Sequence, residues 1–538
     1  MTRYVRTSRY QARRVARLGN IDAQRLLIRK HADSGPSIPA WRRNGNRDGH
    51  SGWGEKLLEG SATALGSVLV LGLVGYSYHR YYKSLVLRKM ENAFAAGYST
   101  LELAALGRQL TQDSSNGITA CFEVTRPQQE FIDSIVNGSV QGHYHLLTGE
   151  KGTGKTSMLL KAMRKIEGEG VVMLEAHPDL EIFRLRLGKA LNYEFHEDYI
   201  GSLFSFRGPR DTTPLLDIER AFNKMEKIAL KRREKFGRPL VLVINRAHLF
   251  GDDDDGRHLL EAIQQRAEMW AASNLVTVVL NSNEFWIGER LMPEATRLRV
   301  LPIHDIPKGP TITALRDFRN RSFGEDVSEH TLERIYAKIG GRFRFLSQVA
   351  KAPDMDEACR VIYEKEKKWF LSQCWIFGGD IDDDAESQQE FCAAAMVLAK
   401  ALVDEEATKR EQNHLQDDHA LPSISLHKAR QIMTRADLIQ HHDRINIFTI
   451  DSNSMVQADS VVMQNVFREL CAEDGFEEHL DATLERLDEL EDLRRTRVLA
   501  LKDVDGNKGY QVIVKKRGQI EESMQMSFKA IPPEEEGS

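Results

Sequence analysis

The chain has 538 residues, of which 41% are hydrophobic and 28% charged; this composition is ordinary for a folded protein, and the length allows two to four domains. Five cysteines without a C-x-x-C pair or histidines at ligand spacing indicate neither a disulfide framework nor a zinc site. The net charge of −5 combines +9 in residues 1–50 with −14 in the remainder. An acidic body argues against indiscriminate binding to nucleic acid, which depends on neutralising phosphates.

Residues 1–50 are rich in arginine and poor in acid. Arg6, Arg9, Arg13 and Arg17 recur at helical spacing in this segment. An Arg-rich N-terminus that can form an amphipathic helix is typical of a mitochondrial presequence, so we expect a basic targeting segment. A basic tail without a targeting role is the alternative.

Residues 60–82 predict a single transmembrane helix with an interfacial flank. No Asp, Glu, Lys or Arg occurs from Gly60 through His79, and about 20 apolar residues are enough to cross a bilayer. Tyrosines gather at the far end, as interfacial anchors do, and basic residues on both sides leave the orientation open. Apolar positions three and four apart predict a helical connector over 83–123.

The stretch "HYHLLTGEKGTGKTSMLL" contains the strongest motif in the chain. Gly149, Gly154, Lys155 and Thr156 satisfy G-x-x-x-x-G-K-[ST], with a short strand before them and an amphipathic helix after them. Such a loop directs main-chain N–H groups at phosphates, while its lysine reaches the β- and γ-phosphates and its hydroxyl ligates Mg²⁺. We therefore predict ATP and Mg²⁺ as cofactors, with Thr156 as the metal ligand. The predicted binding residues in the loop are Gly149, Glu150, Lys151, Gly152, Thr153, Gly154, Lys155, Thr156 and Ser157.

The rest of the segment 124–306 alternates strands and helices. Valine- and leucine-rich runs such as "LVLVIN" and "LVTVVL" are separated by helical segments, of which one has Pro214 in its first turn and Gly237 just past its end. Near-continuous apolar strands joined by helices predict an α/β fold with a parallel five-stranded sheet covered on both faces.

Residues 307–375 read as a helical lid, and residues 376–470 as a winged-helix-like α+β domain. In the latter, two helices precede "RINIFTID" and "SMVQADSVVM", which alternate like a hairpin. Lys428, Arg430 and Arg435 lie on the helix predicted to be the recognition helix, but surrounding acids such as Glu405 and Asp437 favour a protein contact over a DNA contact. Residues 471–538 predict an amphipathic helix with leucines three to four apart, followed by an acidic tail.

With these motifs, residues 124–470 resemble the AAA+ class of P-loop ATPases. The branch they are most similar to includes archaeal-type, origin-recognition and STAND ATPases. The whole chain also resembles fungal mitochondrial membrane ATPases and, less closely, the RNA12-type mitochondrial escape proteins. This resemblance implies a protein of the mitochondrial inner membrane with one membrane span.

The resemblance also implies two sensor positions. The strand "LVTVVLNSN" is similar to a sensor-1 strand, so Asn281 or Asn283 would touch the γ-phosphate or the attacking water; a strand-ending turn is the alternative. The stretch "KIGGRFRFLSQVAK" resembles the start of the lid helix and suggests Arg342 or Arg344 as a sensor-2 arginine. Helix capping by its two glycines is the alternative.

The family's acid pair is absent after the strand "LVLVIN". The resemblance implies Asp-Glu at this strand end, but Asn245 and Arg246 stand there. Asn245 can accept a hydrogen bond from a magnesium-bound water, whereas Arg246 stays protonated and cannot act as a general base. General-base catalysis is worth about 10²–10⁴ in rate, so we expect slow turnover at most. Possible substitutes for the acid are Asp252 to Asp255 and Glu284, and possible arginine fingers are Arg290 and Arg297.

Three functional hypotheses remain open from the sequence. The first is a membrane-anchored ATPase that hydrolyses ATP slowly in assembly or remodelling. The second is a nucleotide-dependent switch or scaffold with little hydrolysis. The third, which we do not favour, is a membrane-tethered nucleic-acid maintenance factor that uses the winged helix. Partners would be copies of the chain or other proteins that contact the lid, the winged helix and the tail.

Overall fold

The computed structural model describes residues 52–97, 122–195, 213–374, 386–411, 421–433, 436–488, 509–516 and 519–527. Side chains are described in these ranges except at 52–63, 386–387, 436–437 and 509–527. The predicted targeting segment and most of the connector over 83–123 lie outside the described residues. The chain divides into two units, residues 1–77 and residues 78–538.

The first helix, α1, covers Gly52–Ala93 and contains the predicted transmembrane segment. Apolar side chains such as Leu65, Val68 and Leu71 are about two-thirds exposed in its first part. Within the second unit, Met90 on this helix is fully buried in the main core. The predicted membrane span is not supported, because none of the helices that the structure describes is long and apolar enough to cross a bilayer.

A five-stranded parallel sheet forms the centre of residues 122–306, which confirms the predicted fold class. The strand order is β2-β3-β4-β1-β5, with β1 and β4 adjacent. Its strands are β1 (Tyr144–Thr148), β2 (Val171–Glu175), β3 (Leu240–Asn245), β4 (Val276–Asn281) and β5 (Leu298–Pro302). Because all five are parallel, their carboxyl ends meet at one edge, and the phosphate loop lies there.

Helices cover both faces of the sheet. They are α2 (Gln128–Val136), α3 (Lys155–Lys165), α4 (Leu180–Ala190), α5 (Pro214–Phe236), α6 (Asp254–Ser273) and α7 (Trp286–Leu291). All six residues of β3 are buried: Leu242 and Ile244 pack into the core that includes α5 and α6, whereas Val241 and Val243 pack into the core that includes α2 and α3. Burial on both faces explains why the strand is an unbroken apolar run. As predicted, α5 starts with proline and ends at a glycine with a left-handed backbone.

The lid consists of four helices around its own apolar core. These are α8 (Lys308–Phe323), α9 (Glu329–Ile339), α10 (Phe343–Lys351) and α11 (Met355–Cys374). Residues such as Leu332, Leu346 and Val349 are fully buried in that core. Helix α10 begins beside the phosphate loop, because the N–H of Arg344 donates to the Gly152 carbonyl at 3.0 Å.

The C-terminal domain combines helices with a three-stranded antiparallel sheet in the order β6-β8-β7. Its elements are α12 (Glu386–Glu411), β6 (Ser423–Ser425), α13 (Leu426–Ile432), α14 (Ala436–Arg444), β7 (Phe448–Ile450), β8 (Met455–Ala458) and α15 (Val461–Cys471). The hairpin prediction is confirmed for β7 and β8.

The prediction of a single recognition helix around Lys428 is wrong, since that stretch forms two helices. Lys428 and Arg430 lie on α13, Arg435 lies outside the described residues, and the helix just before the hairpin is α14. Helix α14 packs against the ATPase core: the Asp443 carboxylate accepts from the Phe285 N–H at 3.4 Å.

The tail contains a helix and a hairpin. The predicted amphipathic helix covers 476–488 (α16), with Leu480 buried and Leu490 outside the described residues. An antiparallel pair, β9 (Gly509–Lys516) and β10 (Gln519–Ser527), follows it, and we did not predict this pair. The alternation in "GYQVIVKK" was the available signal.

Candidate nucleotide site

Two glycines of the phosphate loop, residues 149–156, lie close to neighbouring elements. Gly149 and Gly152 have φ angles of +141° and +91°, in the range that favours glycine. A Cβ atom on Gly149 would lie 2.3 Å from the Ile303 main-chain oxygen, and one on Gly152 would lie 3.0 Å from the Arg344 Cβ. Side chains at these positions would displace β5 or the lid, so the glycines let the loop pass close to both.

Lys155 points back into the loop. Its Nζ donates to the Gly149 and Glu150 carbonyls at 2.8 and 2.9 Å, and the residue is 3% exposed. Burial lowers the pKa of Lys155 to about 8, although nearby Glu150 opposes the shift. The ammonium group is thus held among carbonyl oxygens at the position where a phosphate would be bound.

Thr156, Asn245 and Asn281 meet at the carboxyl ends of β3 and β4. The Thr156 hydroxyl donates to Asn245 Oδ1 at 3.2 Å, and Asn281 Nδ2 donates to the same oxygen at 2.6 Å and to Thr156 Oγ1 at 3.1 Å. This cluster is neutral, whereas an acid in place of Asn245 would add a charge. The structure thus brings the predicted metal ligand, strand-end residue and sensor-1 candidate together.

Arg246 does not join this cluster. Its backbone is left-handed, with φ +56°, and its side chain is 57% exposed. The guanidinium lies 3.8 Å from Glu175, which ends the neighbouring strand β2. The side chain of Asn283 does not join this cluster either. The main-chain N–H of Asn283 donates to His248 Nδ1 at 3.2 Å.

Arg342 connects the phosphate loop, the sheet and the C-terminal domain. It is 1% exposed, and its guanidinium donates to Asp305 Oδ1 at 2.7 Å, the Lys151 carbonyl at 2.9 Å and Asp459 Oδ2 at 3.0 Å. It also donates to the Asp459 main-chain oxygen. Burial alone would lower the pKa of Arg342, but Asp305, Asp459 and Glu150 raise it overall, so the group stays charged.

Glu150 places a buried carboxyl group in the same loop. It is 5% exposed, Gln457 of β8 donates to its Oε1 at 3.5 Å, and its Oε2 has no hydrogen-bond partner in the described part of the chain. Burial raises the pKa of Glu150 to about 6, despite the opposing charge of Arg342. The C-terminal domain therefore touches the loop directly through Gln457 and is joined to it through Asp459 and Arg342.

Arg126 supports the loop from the start of the core. Its guanidinium donates to the Thr153 carbonyl at 2.5 Å and to the His304 carbonyl at 3.1 Å. This residue precedes α2 and is 9% exposed. Of the remaining loop residues, Ser157 and Lys151 are exposed, and Thr153 is buried.

Three of the proposed substitutes for the missing acid have partners elsewhere. Asp252 pairs with Arg290 and with Arg444, at 3.3 Å in the second case, and Glu284 accepts from the Trp286 indole. Asp253 caps α6 by accepting from the Gly256 N–H at 3.2 Å.

The two proposed arginine fingers are also engaged within the chain. Arg290 stacks on the Trp286 ring at 4.2 Å in addition to its pairing with Asp252. Arg297 donates to the Gly142 carbonyl at 3.4 Å, near the start of β1 and thus at the sheet edge opposite the phosphate loop.

Sequence reasoning missed four residues of the site: His248, Asp305, Gln457 and Asp459. Asp305 follows β5 and Asp459 follows β8, so an acid just past a strand was the available signal. His248 lies three residues after Asn245, in a single 3-10 turn over Ala247–Leu249.

The residues present fit a nucleotide phosphate chain better than they fit a strongly held metal ion. The loop offers main-chain N–H groups, a buried lysine and the start of the 11-residue helix α3. For Mg²⁺ it offers the Thr156 hydroxyl, with Asn245 placed to bind a metal-bound water. No group of three or more His, Cys, Asp or Glu side chains in the described ranges is arranged to hold a metal.

Residues 126–279 match the family described as the AAA ATPase domain. The chain carries an AAA ATPase domain. Residues 372–491 match the family described as "Fungal AAA protein, C-terminal winged helix domain". The AAA ATPase domain thus holds the phosphate loop, and the winged-helix domain holds Asp459 and Gln457. No curated protein sequence matches the chain at a significant level.

Several solved structures are similar in fold to about two-thirds of this chain. The Walker-type ATPase PABY2304 of Pyrococcus abyssi is 13% identical, with a TM-score of 0.42 over 65% of this chain and 96% of that chain. The Aeropyrum pernix ORC1 protein in complex with DNA is 13% identical, with a TM-score of 0.33 over 66% and 95%. AMPPCP-bound DnaA from Aquifex aeolicus is 10% identical, with a TM-score of 0.29 over 60% and 90%. Scores this low carry no conclusion about function.

Proposed function

We propose that this protein is a nucleotide-dependent switch, in which ATP on the phosphate loop changes how the winged-helix domain is held. The observation that carries the proposal is the position of Arg342. One buried guanidinium joins the Lys151 carbonyl of the loop to Asp305 of the ATPase core and to Asp459 of the winged-helix domain.

Competition for Arg342 supplies the switching energy. A triphosphate on the loop would bring several negative charges next to Glu150, Asp305 and Asp459 and would compete for the same guanidinium. Leaving one member of a buried ion pair without its partner costs about 3–5 kcal/mol. The winged-helix domain can avoid that cost by moving Asp459 away from the loop, so nucleotide binding and domain position become coupled.

The absence of a catalytic acid favours a switch over an ATP-consuming motor. Asn245 stands at the strand end, Arg246 turns toward Glu175, and Glu284 and Asp252 are paired with other groups. Slow hydrolysis in assembly or remodelling remains the second candidate, because Asn281 and Thr156 are placed next to the expected position of the γ-phosphate.

Two measurements on the full chain test this proposal. We expect ATP binding with Mg²⁺ that the change Lys155→Ala abolishes. We also expect a turnover no higher than that of the Lys155→Ala variant. Absence of nucleotide binding contradicts the proposal as a whole, whereas turnover well above the variant's favours the slow ATPase.

Location in the mitochondrial inner membrane stays a prediction from the sequence, supported by the arginine-rich N-terminus and the charge-free stretch from Gly60 through His79. Fractionation of cells that express the full chain, followed by carbonate extraction, tests it. Recovery in the soluble fraction after extraction would contradict a membrane anchor.

A further inference from the structure

His248 lies between the ends of two central strands. The left-handed backbone of Arg246 turns the chain directly after β3, and the next residues form a 3-10 turn. This turn brings the imidazole to the end of β4, where its Nδ1 accepts a hydrogen bond from the Asn283 N–H at 3.2 Å. Two residues before Asn283, Asn281 reaches Thr156 of the phosphate loop. The ring is therefore at the same sheet edge as the loop.

The hydrogen bond to Asn283 fixes the tautomer of the ring. A neutral imidazole has one donor and one acceptor nitrogen, and the Nδ1 atom acts as the acceptor here. The hydrogen must then be on Nε2, which has no hydrogen-bond partner among the residues that the structure describes. His248 thus offers one N–H donor that the fold itself does not use.

The surroundings of His248 keep the ring neutral. Burial, together with the positive charges of Lys155, Arg246 and Lys151, lowers its pKa to about 4. These cations also show that the imidazole lies within electrostatic range of the phosphate-loop lysine. A neutral donor close to several cations, with no carboxylate bonded to it, is suited to an anionic acceptor.

We infer that His248 donates its Nε2–H to the terminal phosphate of a bound nucleoside triphosphate and thereby distinguishes ATP from ADP. This inference rests on the proposed nucleotide binding at the same loop. The loop N–H groups hold the α- and β-phosphates, so a third phosphate extends beyond them, toward the ends of β3 and β4. There Asn281 already donates to Asn245 and to Thr156, whereas the Nε2–H of His248 has no acceptor among the residues that the structure describes.

The loss of this hydrogen bond has a predictable size. A hydrogen bond to a charged group is worth about tenfold to a hundredfold in binding. The change His248→Ala should weaken binding of a non-hydrolysable ATP analogue by about that factor and leave ADP binding nearly unchanged. The change His248→Gln keeps an N–H donor and an oxygen acceptor, so it should restore a large part of the analogue affinity.

The test is a set of dissociation constants measured on the full chain for the ATP analogue and for ADP. The variants are His248→Ala, His248→Gln and, as a matched control, His258→Ala, since His258 is exposed on α6. A selective loss for the analogue in His248→Ala, with partial recovery in His248→Gln, supports the inference.

Other results overturn it in different ways. An equal loss for both nucleotides would assign His248 a role in folding of the turn, and no loss for either would exclude contact with the phosphate. If the wild-type chain binds neither nucleotide, the proposed function fails together with this inference, whereas the first two results leave nucleotide binding itself intact.

Discussion

Asp459 holds Arg342 twice, through its carboxylate at 3.0 Å and through its main-chain oxygen, across 117 residues of sequence. The same guanidinium binds the Lys151 carbonyl at 2.9 Å. The segment just before α15 of the winged-helix domain is thereby joined to the phosphate loop by one side chain. A change at the phosphate loop must therefore affect Asp459, and the reverse, because Arg342 is buried and no solvent can replace a lost partner.

Neutralising Asp459 should favour nucleotide binding. The change Asp459→Asn preserves the shape of the side chain but removes a negative charge that competes with phosphate for Arg342. We expect the ATP affinity to rise about fivefold or more, in the usual range of coupling between two sites. Titration of the full chain with a fluorescent ATP analogue measures it. The exposed Asp474→Asn serves as the control, and an unchanged affinity in Asp459→Asn would show that the two groups do not compete.

Restoring an acid at position 245 should strengthen magnesium binding. In Asn245→Asp the carboxylate still accepts from Thr156 and Asn281, and it adds the charge that the cluster lacks. We expect the Mg²⁺ concentration for half-maximal ATP binding to fall about tenfold, since hard cations prefer charged oxygen ligands. A magnesium titration at fixed nucleotide measures this shift, with the exposed Asn320→Asp as control. If both variants showed the same Mg²⁺ concentration for half-maximal ATP binding, magnesium would not bind next to position 245.

ATP binding should weaken above pH 8. Phosphate binding needs the protonated form of Lys155, whose pKa burial lowers to about 8. The affinity should fall by up to tenfold per pH unit above that value. Unfolding shows the opposite trend: between pH 8 and the ordinary lysine pKa of 10.5 the unfolded chain binds more protons, so this residue's contribution to stability rises with pH.

A second buried lysine provides the control for that pH dependence. Burial also lowers the pKa of Lys224 to about 8, but this residue, on α5, donates to the Tyr193 hydroxyl at 2.6 Å. Lys224→Met should therefore keep the wild-type pH dependence of ATP binding. If the pH dependence of ATP binding disappeared in Lys224→Met, the dependence would come from Lys224 and not from Lys155.

Removing Arg126 should loosen the phosphate loop. Arg126→Met keeps much of the side-chain volume but leaves the Thr153 and His304 carbonyls without their donor. An unsatisfied buried polar group costs about 1–3 kcal/mol, so we expect a fall of that size in the free energy of unfolding and a weaker ATP affinity. Denaturant unfolding with and without ATP measures both. Unchanged stability would mean that the loop does not need this support.

Nucleic acid should bind weakly if at all. Helix α14 is packed on the ATPase core through Asp443 and Arg444, and most of the chain is acidic. We expect no steep dependence on salt in a DNA-binding assay of the full chain, since few phosphates would be neutralised. Tight binding that weakens strongly between 50 and about 200 mM salt would revive the nucleic-acid hypothesis.

Local signals predicted the sheet and the phosphate loop because their physical causes are local. Strand β3 is buried on both faces and is therefore an unbroken apolar run, and Gly149 is needed where the chain turns against β5. The pairing of Arg342 with Asp459 was not predictable, because many acids follow strands and only the tertiary fold selects one. The break between α13 and α14 was missed because no glycine or proline separates the two helices in the sequence.

The arginine and acid candidates show the same limit. Arg290 and Glu284 were reasonable choices by residue type, but the fold pairs Arg290 with Asp252 and Glu284 with Trp286. Long-range pairing of charges thus decides which polar residues remain available to a ligand.

Hydrogen exchange of the winged-helix domain tests the coupling between nucleotide and domain position most directly. Amide exchange in residues 455–471, which contain β8 and α15, is compared in the full chain with and without a non-hydrolysable ATP analogue. The proposed switch predicts faster exchange there when the analogue is bound, and no change in Lys155→Ala. Saturating binding of the analogue to the wild-type chain with unaltered exchange in this segment would contradict it.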